Sequence, residues 1–288
     1  MSARDAGLGL LVAALWGLAF VATKVALQTF SPPELVLLRF VVAGAAAAFL
    51  PRPRLPWGRL VALGLFLYTG QFVLQFFGIA AGMPAGLAAV AVQTQALFTV
   101  GLAALVLGER PGPLQLGGIA LATAGLGVLA LTVGVDFTAR GLALTLLSAL
   151  SWAVGNLLLK RAPATDMAGL AAWLSLVPPL PALALMLALD GPAALPRALA
   201  SAPWVALAAA VYLGAAATVV AYAIWGALLR RHPTAAVAPF ALLVPVIGMA
   251  ASAAFLGERF GTLRLVGIGL VLAGVGLIAL APSARHAG

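Results

Sequence analysis

Leu107-Gly108-Glu109-Arg110, followed by Gly112, Leu114, Gly118, Ile119, Gly125 and Gly127, recurs as Leu256-Gly257-Glu258-Arg259, Gly261, Leu263, Gly267, Ile268, Gly274 and Gly276. At that offset of 149 positions, residues 103–131 match residues 252–280 at 16 of 29 places. Pro84 and Pro233 fall into line at the same offset, and Trp16…Lys24 aligns with Trp152…Lys160 at an offset of 136. The chain is a tandem duplication, divided as residues 1–135 and 136–288.

Composition places the duplication in a membrane. The 288 residues are 64% hydrophobic and 8% charged, with a mean hydropathy of +1.15. A soluble domain carries about 25% charged residues. Sixteen basic and seven acidic side chains cannot cover a water-facing surface of this size. Cysteine is absent, which excludes disulfides and Cys-ligated metal. His232 and His286 have no metal-ligand spacing, and no phosphate-binding Gly-Lys-Ser/Thr loop occurs. No cofactor is expected.

A membrane-crossing helix needs about 20 apolar residues. Runs without charge, and the break at Gly82-Met83-Pro84, predict ten helices at roughly 6–29, 33–50, 57–80, 84–107, 112–132, 140–160, 167–188, 203–227, 233–256 and 261–281. The N-terminal segment has no small-residue cleavage site and is taken as the first span. With the N-terminus inside, ten Lys and Arg residues fall at inner ends and loops and four at outer ones, which sets both termini in the cytoplasm. The same distribution explains a pI near 11.5 by topology and contact with anionic lipid, not nucleic acid. Five spans per half is an odd number, so the halves insert in opposite senses: an all-α membrane protein of two inverted five-helix repeats. Inverted repeats with a binding site between them are a common build of secondary transporters.

Polar groups inside a span are costly and tend to face a bundle interior or a watery cavity. The third helix carries Tyr68, Gln71 and Gln75 on one face. The sixth carries Ser148, Trp152, Asn156 and Lys160 at a strict spacing of four, and the first carries Trp16, Phe20 and Lys24 likewise. The eighth offers Thr218, Tyr222 and Trp225, and the fourth Gln93 and Gln95, which stand about 200° apart on an α-helix. These side chains are expected to line a central cavity of amides and aromatic rings. Trp16 and Trp152 read equally as packing residues. Lys24 either meets a substrate carboxylate or snorkels to the outer interface. Arg39 sits two turns into the second helix, with backbone or substrate as its partner. The serines and Thr218 either bond their own helix or join helices.

Glu109 and Glu258 are expected to fix the turns that follow the fourth and ninth helices, with Arg110 and Arg259. Pro84 and Pro233 open those two helices, Pro239 and Pro245 are expected to bend the ninth, and Pro178, Pro179 and Pro181 the seventh. Glycines on the fifth and tenth helices predict close packing there, with room for a homo-oligomer face. The seven acids, Asp5, Glu34, Glu109, Asp136, Asp166, Asp190 and Glu258, all sit in loops or at helix ends. A proton-driven carrier commonly relays through an intramembrane Asp, Glu or His. The expectation is therefore facilitated or exchange-type movement of a small molecule. A membrane-embedded enzyme would need clustered acids, histidines or serines, and they are lacking.

Ten spans, two inverted halves and a Pro…Leu-Gly-Glu-Arg…Gly…Gly signature in each resemble the EamA branch of the drug/metabolite transporter superfamily. The opening LWGLAFVATKVAL…SPPELVLLRF resembles bacterial aromatic amino-acid exporters of the YddG type. The resemblance implies a basket of helices in the inner membrane, with export of aromatic and other neutral amino acids by alternating access. Export of another metabolite or drug, or a flippase-subunit role, is the alternative. The superfamily's sugar-phosphate carriers would require several cavity cations.

Overall fold

A computed structural model describes residues 1–134, 137–162 and 166–281, with the side chains of Thr234 and Ala235 excepted. The expected repeat boundary at 135/136, Asp136, Arg285 and His286 lie outside the described residues. Ten long helical elements follow one another: α1 (Ala3–Ala26), α2 (Pro32–Gly44), α3 (Trp57–Ala80), α4 (Ala85–Leu107), α5 (Pro113–Ala130), α6 (Ala139–Lys160), α7 (Met167–Leu189), α8 (Trp204–Arg231), α9 (Thr234–Leu256) and α10 (Thr262–Leu280). A short amphipathic helix, Ala194–Ser201, links α7 to α8.

Nine of these are long and apolar enough to cross a membrane. The exception is α2, whose 13 residues rise about 20 Å before a 3₁₀ turn at Ala45–Ala48. A capping box fixes its start: the Ser31 backbone N–H donates to Glu34 at 2.8 Å, and the Glu34 N–H donates to Ser31 Oγ.

The repeated Leu-Gly-Glu-Arg motif is a helix stop. Gly108 and Gly257 take φ of +67° and +68°. The next amides, Glu109 and Glu258, donate back to Ala103 and Ser252, each at 3.3 Å. This left-handed cap favours glycine, which has no Cβ to clash. Pro84 and Pro233 likewise share one backbone conformation, with φ −60° and −57°, just before α4 and α9.

Four glycines of α5 and α10, Gly118, Gly125, Gly267 and Gly274, face the opposite helix, whereas Gly127 and Gly276 face open space. A Cβ on Gly118 would lie 2.6 Å from the Gly274 carbonyl oxygen, and one on Gly125 would lie 2.7 Å from that of Gly267. The two backbones touch along Gly118, Gly125, Gly267 and Gly274.

Two hydrophobic cores form, and neither corresponds to a repeat. One gathers α2, α3, α7 and α8, around Phe30, Phe40, Phe76 and Leu213. The other gathers α4, α5, α9 and α10, around Leu87, Leu129, Val244 and Val271. The first helices of the two halves, α1 and α6, contribute to both. Each half therefore lends helices to both cores.

Two features depart from regular helix in a way the sequence pattern does not announce. The third helix of each half contains a π segment, Gly64–Gly70 in α3 and Ala215–Val220 in α8. Such segments break the i→i−4 register and offer carbonyls to outside donors. In α7 the prolines break the helix instead of bending it: it stops at Leu174 and resumes at Pro179. In α9, by contrast, Pro239 and Pro245 sit within one continuous helix.

Candidate functional site

Between the cores lies a cavity of about 340 Å³, at the small end of the roughly 300–1,000 Å³ usual for ligand pockets. Ten of the eleven side chains singled out in the sequence line it: Trp16, Arg39, Tyr68, Gln71, Gln75, Gln93, Gln95, Trp152, Asn156 and Tyr222. Lys24 does not. Its ammonium turns to the end of α3 and donates to the Ile79 carbonyl at 3.5 Å, the snorkelling alternative. The cavity reaches Leu159 and Met167, at the helix ends where Arg59, Arg161 and Arg230 cluster, and stops about one turn short of the other end at Thr23 and Gln75.

Backbone irregularities position the lining. The π segment of α8 presents the Ala217 carbonyl, which accepts from Trp16 Nε1 at 3.0 Å. Trp16 thereby stands with Tyr222 and Trp225, each 5.3 Å away between ring centroids. The π segment of α3 presents the Phe66 carbonyl, which accepts from Ser151 at 2.8 Å. That bond ties α6 to α3 one residue before Trp152, whose ring stacks toward Tyr68 at 6.5 Å. Tyr68 and Tyr222 lie 6.0 Å apart, completing an aromatic wall.

Proline acts similarly in α9. Pro245 has no N–H, so the Ala241 carbonyl four residues earlier loses its helical partner. Gln93 Nε2 donates to that carbonyl at 3.3 Å. A 3₁₀ turn at Val92–Thr94 narrows the angle between Gln93 and Gln95 to about 120°. Both therefore reach the cavity, which a regular α-helix would have opposed. Asn156 donates to Thr99 at 3.2 Å, and Gln71 to Gln75 at 2.9 Å. The Gln71 carbonyl oxygen is buried and has no hydrogen-bond partner among the described residues.

Arg39 is the charged centre of the site. It is 4% exposed, and its Nε and Nη2 both donate to Thr218 Oγ1, at 3.2 and 3.1 Å. Thr218 in turn donates to the Leu213 carbonyl at 2.9 Å, inside the α8 irregularity. The guanidinium lies over the Phe72 ring, 3.9 Å from its centroid, a favourable cation–π placement. No carboxylate among the described residues pairs with it.

The acids sit at the two ends. At the arginine-rich end Lys160 pairs with Glu109 at 2.5 Å, Arg230 with Asp166, and Asp5 accepts from His232 at 2.9 Å. At the other end Ser31 donates to Asp190 at 2.6 Å. Glu258 does not fix its own turn with Arg259 as expected. It crosses to α4 and accepts from the Ala85 and Gly86 amides at 2.6 and 3.0 Å, where free N–H groups and the helix dipole favour a carboxylate. Among the described residues Ser148 bonds only its own helix, at the Thr145 carbonyl.

Sequence reasoning misses the α7 wall. Met167, Leu170 and Leu174 line the cavity, and an apolar residue in an apolar helix gives no signal of its facing. Phe72 is missed too, although it neighbours Gln71. Thr23 is a third omission, and it also bonds its own helix, at the Ala19 carbonyl.

The EamA-like transporter family matches this chain twice, over residues 6–131 and 139–280. The chain belongs to that family: it is a multi-pass membrane transporter and not an enzyme. It is 42% identical to a protein of Salmonella typhimurium named "Probable amino-acid metabolite efflux pump", over 96% of this chain and 94% of that one. Its identity to the protein of the same name in Escherichia coli is 41% over the same shares. It is 32% identical to a "Probable terminal-alkyne amino-acid exporter" of Streptantibioticus cattleyicolor, over 91% of this chain and 89% of that one. A solved structure shares the fold with a TM-score of 0.62 over 96% of each chain, at 20% identity.

Proposed function

We propose that this protein exports neutral amino acids, aromatic and large apolar ones above all, from the cytoplasm by alternating access. One observation carries the reading: a buried guanidinium without a carboxylate partner among the described residues stands in a cavity walled by Trp, Tyr and amide side chains. Arg39 suits the carboxylate of an amino acid, the amides suit its ammonium, and the rings suit its side chain. A cavity without an acid on its described wall is poorly suited to a lipophilic cation. The names of the relatives agree with amino-acid efflux.

Movement follows from the two cores. They can rock against each other across the cavity while α1 and α6 straddle both, the two repeats (1–135 and 136–288) exchanging roles at the two faces. No Asp or Glu among the described residues lines the cavity, so the substrate's own gradient is the driving force and exchange needs no proton. In proteoliposomes at equal internal and external pH, unlabelled phenylalanine inside is expected to drive uptake of labelled phenylalanine. External methionine or tryptophan should inhibit that uptake more than a lipophilic cation such as tetraphenylphosphonium. Inhibition by the cation alone, or a strict need for a pH gradient, sinks the reading.

The inner membrane with both termini cytoplasmic is part of the same proposal, since the cavity reaches the arginine-rich end. The chain has no cysteine of its own, so single cysteines report directly. Gly58→Cys, in open space at the start of α3, is expected to react with an impermeant maleimide only after the cells are permeabilised. Ala193→Cys, exposed before the short surface helix, should react in intact cells. The opposite pattern inverts the molecule.

A further inference from the structure

The cavity's charge is one-sided. Arg39 is on its wall, and no Asp or Glu among the described residues joins it there. The Nε and Nη2 groups are held by Thr218, and Nη1 makes no hydrogen bond to another described residue. The described acids are engaged elsewhere: Asp5 by His232, Glu34 in its capping box, Glu109 by Lys160, Asp166 by Arg230, Asp190 by Ser31 and Glu258 by backbone amides. A substrate carboxylate therefore meets a charge. Whatever stands at the neighbouring carbon meets only neutral groups of the described wall, among them the amides of Gln71, Gln75, Gln93 and Asn156.

We infer that the site does not require the ammonium group, and that the protein also carries 2-hydroxy monocarboxylates bearing an aromatic or large apolar side chain. The inference rests on the amino-acid reading of the same cavity and deepens it. An ammonium bonded to a neutral amide gains a charge-assisted hydrogen bond. Against that, it loses its hydration in a low-dielectric site that holds no anion, and it shares the cavity with Arg39. A hydroxyl donates to such an amide oxygen with a smaller loss of hydration and no repulsion from Arg39. The two opposing terms leave little net preference for ammonium over hydroxyl at that position. An amine lacking the carboxylate fares differently, because it brings a second cation to a cavity that already has one.

The test compares three ligands that differ only at these two groups. In the phenylalanine exchange assay, external L-3-phenyllactate is expected to inhibit within about threefold of phenylalanine, and phenethylamine at least about thirtyfold less. With potassium and valinomycin on both sides to offset the net charge moved, phenyllactate loaded inside should drive uptake of labelled phenylalanine, showing that it is carried and does not merely block. Arg39→Gln should weaken phenylalanine and phenyllactate by similar factors, since both are held by the same fork.

If phenylalanine is exchanged but phenyllactate inhibits more than about tenfold less well, the ammonium is recognised: this inference falls and amino-acid efflux stands. The inference falls in the same way if phenyllactate inhibits without driving exchange, or if Arg39→Gln weakens phenylalanine alone. If neither compound is exchanged, the amino-acid reading itself falls. The wild-type ligand comparison decides the matter even if the Arg39 variant does not fold.

Discussion

Arg39→Leu is expected to cut amino-acid flux about a hundredfold while leaving the protein as stable as before. Removing one partner of a buried, hydrogen-bonded charge pair costs about 2–5 kcal/mol in binding, and about 2.8 kcal/mol is a factor of a hundred. The stability side has a different sign. A guanidinium buried without a carboxylate loses several kcal/mol of hydration. Its bonds to Thr218 and its place over Phe72 offset part of that. Leucine removes the cost and the compensation together, and Thr218 keeps its bond to the Leu213 carbonyl. Arg39→Lys retains the charge without the planar fork, so an intermediate loss of about tenfold is expected. Flux in proteoliposomes, beside thermal unfolding of the same preparations, separates the two effects. Full flux in the leucine variant would remove Arg39 from the site. Lost flux together with lost stability would make it a structural residue.

The second large effect lies far from the cavity. Gly274→Ala is expected to destabilise the protein by about 3 kcal/mol, the upper end of what overpacking usually costs. The new Cβ would lie 2.5 Å from the Ala122 backbone nitrogen and 2.5 Å from the Gly118 carbonyl oxygen. Neither atom is the end of a flexible side chain, so α5 and α10 must separate. Gly276, two residues on, has nothing within 4 Å of such a Cβ. Gly276→Ala is expected to be neutral or to stabilise by up to about 1 kcal/mol, because alanine is the better helix former. Denaturant or thermal unfolding of the two variants in one detergent checks both signs. Equal effects would mean that the helices do not pack through this stripe.

The elements legible in the sequence are those set by local, periodic chemistry. The Leu-Gly-Glu-Arg turns can be found because a left-handed cap selects glycine and recurs at the same place in each half. The helices can be counted because charge is excluded from a span. The face carrying Tyr68, Gln71 and Gln75 can be seen because polar residues stand out against apolar ones at helical spacing. The second helix is expected at 33–50, yet α2 ends at Gly44 and tightens, since a run of alanines hides the change from α to 3₁₀.

What escapes is of two kinds. Departures from regular helix leave no mark in side-chain periodicity. The π segments of α3 and α8 are therefore silent in the sequence, and helical spacing lets Gln93 and Gln95 face the cavity only unequally. Partners brought together only by the fold are also invisible. Nothing near Glu258 in the sequence points to the amides of Ala85 and Gly86. Equally, nothing near Arg39 points to Thr218, 179 positions away. Leu170 and Leu174 show the same limit in the cavity wall.

The sharing of both cores between the halves bears on how the chain is made. When α5 has entered the membrane, the surface of α1 that will meet α9 is bare, as are the faces of α3 and α4 that will meet α6 and of α5 that will meet α10. The first five helices must wait in the bilayer, with glycine-lined and polar faces towards lipid, until the last five are synthesised and inserted in the opposite sense. A nascent chain halted after Ala130 thus has the hydrophobicity of a finished membrane protein but none of its closed surfaces. The second half is the assembly partner of the first, delivered by the same ribosome.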